Sequence, residues 1–208
     1  MTYKVTGYII GKKDFRDTDR LYTLYTAEQG KIQAMAQGVK KISSKLSGHL
    51  ELFHKAAFTI AKGKHTNRIT TVDTIHRSEH IKYTFEKCIA ASYCLEITNQ
   101  LVKWNECDKE LYTLIEDFFS YLESVPATKA ALLSKFYIVQ FSRILGYAHE
   151  GYCPDFSSIH TPLRRTVLGS LEQACDGFLH QHLERPLLSE KFFKLFISAI
   201  KKTAMNAV

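Results

Sequence analysis

The sequence lacks several features that would indicate secretion, a membrane span or disorder. It has four prolines among 208 residues, no low-complexity tract or internal repeat, and no apolar run of about 18 residues, so no membrane span is expected. Its five cysteines are odd in number and form no close CxxC pair, which suits free thiols in a reducing cytoplasm. The first residues, Met1-Thr-Tyr-Lys, lack an apolar signal core, and we therefore expect no secretion.

Motifs of catalysis are also missing. The sequence contains no P-loop, no HExxH and no GxSxG nucleophile elbow, and its nine histidines are scattered. Asp14, Asp17 and Asp19 offer carboxylates for a metal, but they alternate with Arg16 and Arg20, and ion pairing with those arginines is the simpler interpretation. We therefore expect a protein that is not an enzyme and that needs no cofactor and no metal.

A shortage of acids is confined to the first 80 residues. That part has 14 Lys and Arg against 7 Asp and Glu, whereas residues 81–208 have 14 of each. The segment from Gly38 to Gly48 contains three lysines and three serines and no acid at all. The whole net charge of +7 therefore lies in one part of the chain, and this asymmetry favours nucleic-acid binding there.

The basic part has the pattern of short β-strands. Alternating, aromatic or β-branched runs predict strands at 3–11, 21–26, 31–36, 56–61 and 68–72, with a bulge at Gly7 and a tight turn at Gly30. Five strands with one long basic connection in about 80 residues are typical of an OB-fold barrel. We predict an OB-fold nucleic-acid-binding domain over residues 1–80.

The cations of this barrel's connections form the predicted nucleic-acid site. Lysine supplies point charges for phosphates, and serine hydroxyls donate hydrogen bonds to phosphate oxygens. The alternative is that the basic connection is a solvated loop. Tyr22, Tyr25 and Phe53 either stack on bases or, as is more usual, fill the barrel. The predicted DNA-binding residues are Lys12, Lys13, Arg16, Arg20, Lys40, Lys41, Ser44, Lys45, Lys62, Lys64 and Arg68.

Residues 81–208 have helical periodicity, and we predict an all-α domain there. Asp108 is suited to cap one helix, and Gly146 to end another. The helix that follows Pro126 is apolar nearly all round, which indicates a central position. The overall fold class is therefore α+β, with an N-terminal barrel followed by helices.

The ordered motifs resemble those of the RecO family of recombination mediators. The residues that carry the resemblance are Gly7-Tyr8-Ile9-Ile10, Asp19-Arg20-Leu21, Leu24 to Lys31, Ala36-Gln37-Gly38-Val39-Lys40-Lys41, Ser44, Leu50, Phe53, Leu145-Gly146-Tyr147 and Arg185-Pro186-Leu187-Leu188-Ser189. The resemblance implies a DNA repair function, with binding of single- and double-stranded DNA, annealing of complementary strands and help in loading RecA. It also implies RecR and single-strand-binding protein as partners, and a cytoplasmic, nucleoid-associated location. An RNA-binding OB-fold adaptor remains an alternative, because charge alone does not distinguish the two nucleic acids.

The chain departs from the family in one element that often binds metal. Many family members have a CxxC…CxxC zinc element after the Leu-Gly-Tyr motif, whereas Cys153 here is followed by Pro-Asp-Phe. His149, Cys153, His160 and Cys175 match no standard ligand spacing, so we expect the zinc element to be lost.

The helical domain is expected to dock the acidic, apolar C-terminal tail of single-strand-binding protein. The resemblance suggests this partner, and such a peptide needs an apolar pocket beside cations. The alternative is that the aromatic residues concerned belong to the core. The predicted partner-binding residues are Phe118, Phe119, Leu122 and Lys135.

Overall fold

A computed structural model describes the backbone of residues 1–147 and 153–205, and the side chains of residues 1–147 and 153–198. The chain divides into two compact units: Met1–Glu79 with Val102–Tyr112, and His80–Leu101 with Thr113–Val208. We call these the barrel unit and the helical unit. The division differs from a single boundary at residue 80, because the segment Val102–Tyr112 packs with the barrel.

Five strands form a closed barrel in the first unit. They are β1 (Thr2–Asp14), β2 (Arg20–Thr26), β3 (Gly30–Ala36), β4 (Lys55–Ala61) and β5 (Asn67–His76). Their order is β1-β2-β3-β5-β4, and β4 closes the barrel by pairing with β1. All pairs are antiparallel except β3 with β5. This is the OB fold, and with the helices that follow it confirms the predicted α+β class.

The barrel interior follows the two-residue period of its strands. In β4, Ala56, Phe58 and Ile60 are buried while the residues between them are partly exposed. They pack with Ile9 and Leu24 in one apolar cluster, which removes these side chains from water and stabilises the closed barrel.

Two glycines of the barrel have different functions. Gly30 has φ +62° in the β2–β3 turn, as predicted. The predicted bulge at Gly7 was wrong, because the register of β1 shifts between Ile9 and Gly11 instead. At Gly7 a Cβ would lie 2.2 Å from the carbonyl oxygen of Tyr25, so glycine is needed there for the close approach of β2.

The helices are α1 (Glu79–Tyr83), α2 (Phe85–Leu101), α3 (Lys109–Ser124), α4 (Ala130–Ile144), α5 (Arg165–His182) and α6 (Glu190–Met205). Helix α4 packs against α2, α5 and α6 and is buried over most of its surface, as its apolar sequence predicted. The Asp108 carboxylate accepts hydrogen bonds from the backbone of Glu110 and Leu111, which confirms it as the cap of α3.

A carboxylate from α2 fixes the start of α6. Glu96 accepts the backbone N–H groups of Leu188 and Ser189 at 2.7 and 2.9 Å, and the Ser189 hydroxyl at 2.6 Å. These bonds satisfy donors that the beginning of a helix otherwise leaves without partners.

Within residues 1–147 and 153–205, none of the helices combines the length and the apolar character that crossing a membrane requires.

Candidate nucleic-acid interface

Two loops meet at the C-terminal end of β3. Arg20, the first residue of β2, pairs with Ala36, the last residue of β3. The β1–β2 loop (residues 15–19) and the β3–β4 loop (37–54) therefore join the sheet at the same end of β3. The β4–β5 loop (62–66) instead precedes a strand parallel to β3 and lies beside the start of β1, where the Lys62 N–H donates to the Met1 carbonyl at 3.0 Å. These three loops are the connections in which the sequence concentrates its cations.

The first two of these loops are tied together by a buried carboxylate. Asp19 is 4% exposed, and its Oδ1 accepts the backbone N–H of Gly38 at 2.8 Å and the Thr18 hydroxyl at 3.1 Å. The Lys40 N–H also donates to the Thr18 carbonyl at 3.0 Å. The bond from Gly38 contributes most to lowering the pKa of Asp19, so this connection is made by an ionised carboxylate.

An open groove of about 570 Å³ lies between these two loops. Arg16 and Lys41 provide its cations, Asp17 and Asp19 its carboxylates, and Thr18, Gln37 and Gly38 further hydrogen-bonding groups. The Asp19 carboxylate is already engaged by Gly38 and Thr18. Gly38 has φ +65°, a conformation that suits glycine and turns the chain at the rim. A groove of this composition can hold an anionic, hydrogen-bonding ligand such as a phosphate backbone.

Some of the predicted DNA-binding cations are neutralised by neighbours. Asp14 lies between Arg20, whose Nε is 2.7 Å from Oδ1, and Lys40, whose Nζ is 3.1 Å from Oδ2. The hydrogen bond from Arg20 and then that from Lys40 lower the pKa of Asp14. Lys12 is 3.5 Å from Glu51. The interpretation of Asp14 as an ion-pair partner of Arg20 is confirmed.

Other predicted cations are exposed and carry their charge unpaired. Arg16 lies with its guanidinium carbon 5.3 Å from the centroid of the Phe15 ring. Ser44, in the β3–β4 loop, donates its backbone N–H to the carbonyl of Lys41. Among the residues that the structure describes, no ion pair involves the exposed residues Lys13, Lys41, Lys45, Lys62, Lys64 and Arg68.

The three aromatic side chains considered for base stacking are buried. Tyr22 belongs to the barrel core, and the Tyr25 hydroxyl donates to the Asp108 carbonyl at 3.3 Å. Tyr22, Tyr25 and Phe53 are 1%, 0% and 4% exposed, so base stacking on them is not available. Exposed aromatic side chains of this unit include Phe15 at 48% and Trp104 at 50%. Sequence reasoning missed Phe15, although its place inside the charged β1–β2 connection is a usable signal.

The segment Val102–Tyr112 was not expected in the barrel unit. Lys31 is buried, donates from Nζ to the Val102 carbonyl at 3.0 Å, and lies 4.3 Å from the centroid of Trp104. The Asn105 N–H donates to the Lys31 carbonyl at 2.9 Å. Burial lowers the pKa of Lys31, and the carbonyl and the indole ring compensate part of that cost.

The predicted partner-binding aromatics belong to the core of the helical unit. Phe118, Phe119 and Leu122 are 1%, 2% and 0% exposed, and Phe118 contacts the Tyr137 ring at 4.8 Å between centroids. A docking surface on these three residues is therefore wrong. Their spacing fits a buried stripe as well as a groove, and the sequence alone did not distinguish the two.

Lys135, the fourth predicted partner-binding residue, lines a pocket of the helical unit. Its Nζ is 2.5 Å from Oε1 of Glu172. The pocket has a volume of about 260 Å³ between helices of the same unit, and Phe193, Lys194 and Ile197 also line it.

The segment that carries Cys153 is held by apolar contacts and hydrogen bonds. Phe156 and Ile159 are 4% and 1% exposed, and the Lys129 ammonium donates to the Ile159 carbonyl at 2.8 Å. Cys153 is exposed while Cys175 is buried, and His149 lies outside the described residues. Among the described residues no three or more His, Cys, Asp or Glu side chains form a group that could hold a metal ion.

Comparisons with known proteins agree with this arrangement. The family model described as recombination protein O, N-terminal, matches residues 1–77. Proteins named DNA repair protein RecO are 28% identical over 148 residues in Dehalococcoides mccartyi, covering 71% of this chain and 58% of the relative. The protein of that name in Pelotomaculum thermopropionicum is 26% identical over 145 residues, which cover 70% of this chain and 56% of the relative. The one in Desulfitobacterium hafniense is 30% identical over 145 residues, which cover 70% of this chain and 52% of the relative.

The chain spans about half the length of the curated relatives that it matches. The match includes the closed five-stranded barrel whose loops carry the exposed cations. Residues 1–77 therefore match the RecO N-terminal domain, and the chain is similar to proteins named DNA repair protein RecO over about 70% of its length.

Proposed function

We propose that this chain is a DNA-binding recombination mediator that acts in DNA repair without catalytic turnover. It binds single- and double-stranded DNA through the loops around the end of β3 and brings complementary strands together. With RecR it helps to load RecA on DNA coated by single-strand-binding protein at the nucleoid. Similarity to proteins named DNA repair protein RecO supports the biological role, and the barrel's loops support the binding.

The observation that carries the proposal is the set of exposed cations in the barrel's connecting loops that form no ion pair among the described residues. Lys41, Lys45 and Lys64 are exposed, and no ion pair within the described residues neutralises them. Such charges gain most from a polyanion, because binding releases the counterions that DNA otherwise condenses. The contacts are to phosphates, so we expect little dependence on base sequence.

A salt titration tests the binding itself. The logarithm of the affinity for a single-stranded oligonucleotide should fall linearly with the logarithm of salt, at about 0.7 per phosphate contacted. Competition by RNA of equal length distinguishes the RNA-adaptor alternative, which predicts that RNA competes better than DNA. An affinity that does not change with salt would contradict the electrostatic interface.

Strand annealing tests the activity. The protein should accelerate pairing of complementary oligonucleotides coated with single-strand-binding protein, and RecR should be required for RecA to replace that coat. An absence of annealing by a protein that binds both strands would refute the mediator function while leaving DNA binding intact. Adding RecR to the same reaction then shows whether the missing step depends on the partner.

The tail of single-strand-binding protein is proposed to dock at the pocket beside Lys135. The apolar lining from Phe193 and Ile197 suits an aromatic residue of the tail, and Lys135 and Lys194 supply cations. Glu172 and Glu190 already pair with those lysines, so the tail's carboxylates must displace them. Lys135→Glu should weaken binding of the tail peptide and leave the binding of naked DNA unchanged, whereas equal loss of both would refute two separate surfaces.

A further inference from the structure

The barrel unit exposes two large apolar side chains among the cations of its loops. Phe15 lies in the β1–β2 loop and is 48% exposed, and Ile42 lies in the β3–β4 loop and is fully exposed. A soluble surface normally leaves such side chains in water only singly, and these two lie on loops that are hydrogen-bonded to each other. Contacts between cations and phosphates do not explain why these two apolar side chains are exposed.

Both residues are next in sequence to cations that line the groove between the two loops. Arg16 and Lys41 line that groove together with Asp17 and Asp19, and Phe15 precedes Arg16 while Ile42 follows Lys41. The Asp19 carboxylate and the bond from Lys40 to the Thr18 carbonyl hold the loops in this arrangement. Each of the two cations therefore has an exposed apolar side chain beside it in sequence.

This combination fits one class of ligand, a nucleic-acid strand whose bases are not paired. The phosphates of the strand complement the cations, and each unpaired base offers a flat apolar face. Tyr22, Tyr25 and Phe53 are buried, so contact with the face of a base requires exposed loop residues instead. The Arg16 guanidinium already lies over the Phe15 ring, and arginine can also lie over a base.

We propose that Phe15 stacks on an unpaired base and that Ile42 packs against a neighbouring base, so that this groove distinguishes single strands from duplex. The proposal rests on the DNA binding proposed above. In a duplex both faces of every base are already stacked, and only the phosphates remain for the loops to contact. Single strands therefore gain the base contact in addition to the electrostatic contact.

The test compares two probes, a thymidine oligonucleotide and an oligonucleotide of the same length made of abasic sites. The wild-type protein should bind the thymidine probe at least about fivefold more tightly, which is the lower end of what one base–aromatic stack contributes. Phe15→Ala should lose that difference and keep its affinity for the abasic probe. Ile42→Ala should show the same pattern with a smaller loss, since less apolar area is removed.

Controls separate stacking from other effects. Phe15→Trp should restore the difference between the probes because it provides an aromatic face of larger area. Tyr83→Ala removes an aromatic side chain that is 78% exposed in the helical unit, and it should change neither affinity. Phe15 and Ile42 are exposed, so their substitution leaves the barrel core unchanged.

The outcomes distinguish this inference from the proposed function. Equal wild-type affinity for both probes, with normal salt dependence, would overturn base stacking and leave DNA binding in place. Equal loss on both probes in Phe15→Ala would also overturn it, because Phe15 would then act only by positioning Arg16. If the wild-type protein binds neither probe, the proposed DNA binding itself fails.

Discussion

The two units of this protein use their cations in different ways. In the helical unit, Lys87 and Lys129 donate to the backbone carbonyls of Glu123 and Ile159, and Lys135 pairs with Glu172. In the barrel unit Lys31 likewise donates to the Val102 carbonyl, but Lys41 and Lys45 of the β3–β4 loop lie exposed and form no ion pair among the described residues. Cations that satisfy internal acceptors stabilise the fold, whereas exposed unpaired cations remain available to a ligand. The net charge of a sequence segment counts both kinds of cation, so it shows only in part which cations are available to a ligand.

The largest effect is expected from Lys87, a cation with an internal function. It is 7% exposed, burial lowers its pKa, and both carboxylate oxygens of Glu123 are buried without a hydrogen-bond partner. Lys87→Met should reduce the free energy of unfolding by about 3 kcal/mol, because the Glu123 carbonyl loses its charged donor and the Glu123 carboxylate loses a nearby positive charge. Chemical denaturation measures the loss.

The double variant Lys87→Met with Glu123→Leu is the control for that prediction. It should recover the part of the loss that comes from the Glu123 carboxylate, since that group no longer needs a nearby positive charge, and leave the part that comes from the carbonyl. Affinity for DNA, measured on the folded fraction, should stay at the wild-type value. A loss below about 1 kcal/mol in the single variant would show that Lys87 has no structural function of this kind.

The next effect concerns the exposed cations of the barrel. Replacing Lys41, Lys45 and Lys64 with Ala removes about three phosphate contacts and should reduce the slope of log affinity against log salt by about 2. If the affinity extrapolated to 1 M salt is unchanged, this reduction in slope corresponds to about 100-fold weaker binding of single-stranded DNA at 0.1 M salt. Fluorescence anisotropy at several salt concentrations measures both quantities.

A matched control removes the same charge from the other unit. Arg164, Arg165 and Lys191 are exposed residues of the helical unit. Their replacement with Ala also removes three positive charges, yet it should leave the salt slope within about 0.5 of the wild-type value. If the two triple variants lose affinity equally, net charge explains the binding and the loops have no special function.

A smaller effect of opposite sign is expected from Asp14. This carboxylate pairs with Arg20 and Lys40, so Asp14→Asn should release two cations toward the ligand. We expect affinity for single-stranded DNA to rise by about threefold to tenfold and the salt slope to become steeper. Asp73→Asn, an exposed carboxylate on β5, controls for removal of one negative charge. Unchanged affinity in Asp14→Asn would show that Arg20 and Lys40 do not face DNA.

The smallest effect is a dependence on pH at the connection between the two loops. The pKa of Asp19 is lowered in the folded protein, so its contribution is fully present above the ordinary aspartate range and is lost as pH falls through the lowered value. Exchange of the Gly38 amide hydrogen, corrected for intrinsic rate, should therefore be equal at pH 7 and pH 5 and faster only in stronger acid. In Asp19→Asn the acid-induced change should be absent. A change between pH 7 and pH 5 in the wild type would contradict this assignment.

Local rules predicted a large part of the fold, because they depend on residues close together in sequence. Asp108 was assigned as a helix cap from its side chain, and Gly30 as a turn residue from its freedom at positive φ. The apolar sequence of α4 likewise indicated its central position. In each case the residues that determine the local structure lie within a few helical turns or within one hairpin.

The errors concern contacts between residues distant in sequence. The charge on Lys40 was visible, but its pairing with Asp14, which lies 26 residues earlier, required the barrel. The apolar stripe of α3 was visible too, although only the packed structure shows that α4 covers Phe118. The predicted DNA-binding residues therefore remain a prediction, with some cations paired and others exposed.

The return of Val102–Tyr112 to the barrel has a consequence for synthesis and for fragments. Since this segment follows α1 and α2, the barrel unit acquires its last contacts only after about 30 residues beyond β5 have left the ribosome. A fragment that stops at residue 80 would keep all five strands and lose the partners of Lys31 and Tyr25. A fragment that ends near residue 112 therefore contains the complete barrel unit. It also contains α2, which in that fragment lacks the other helices of the helical unit.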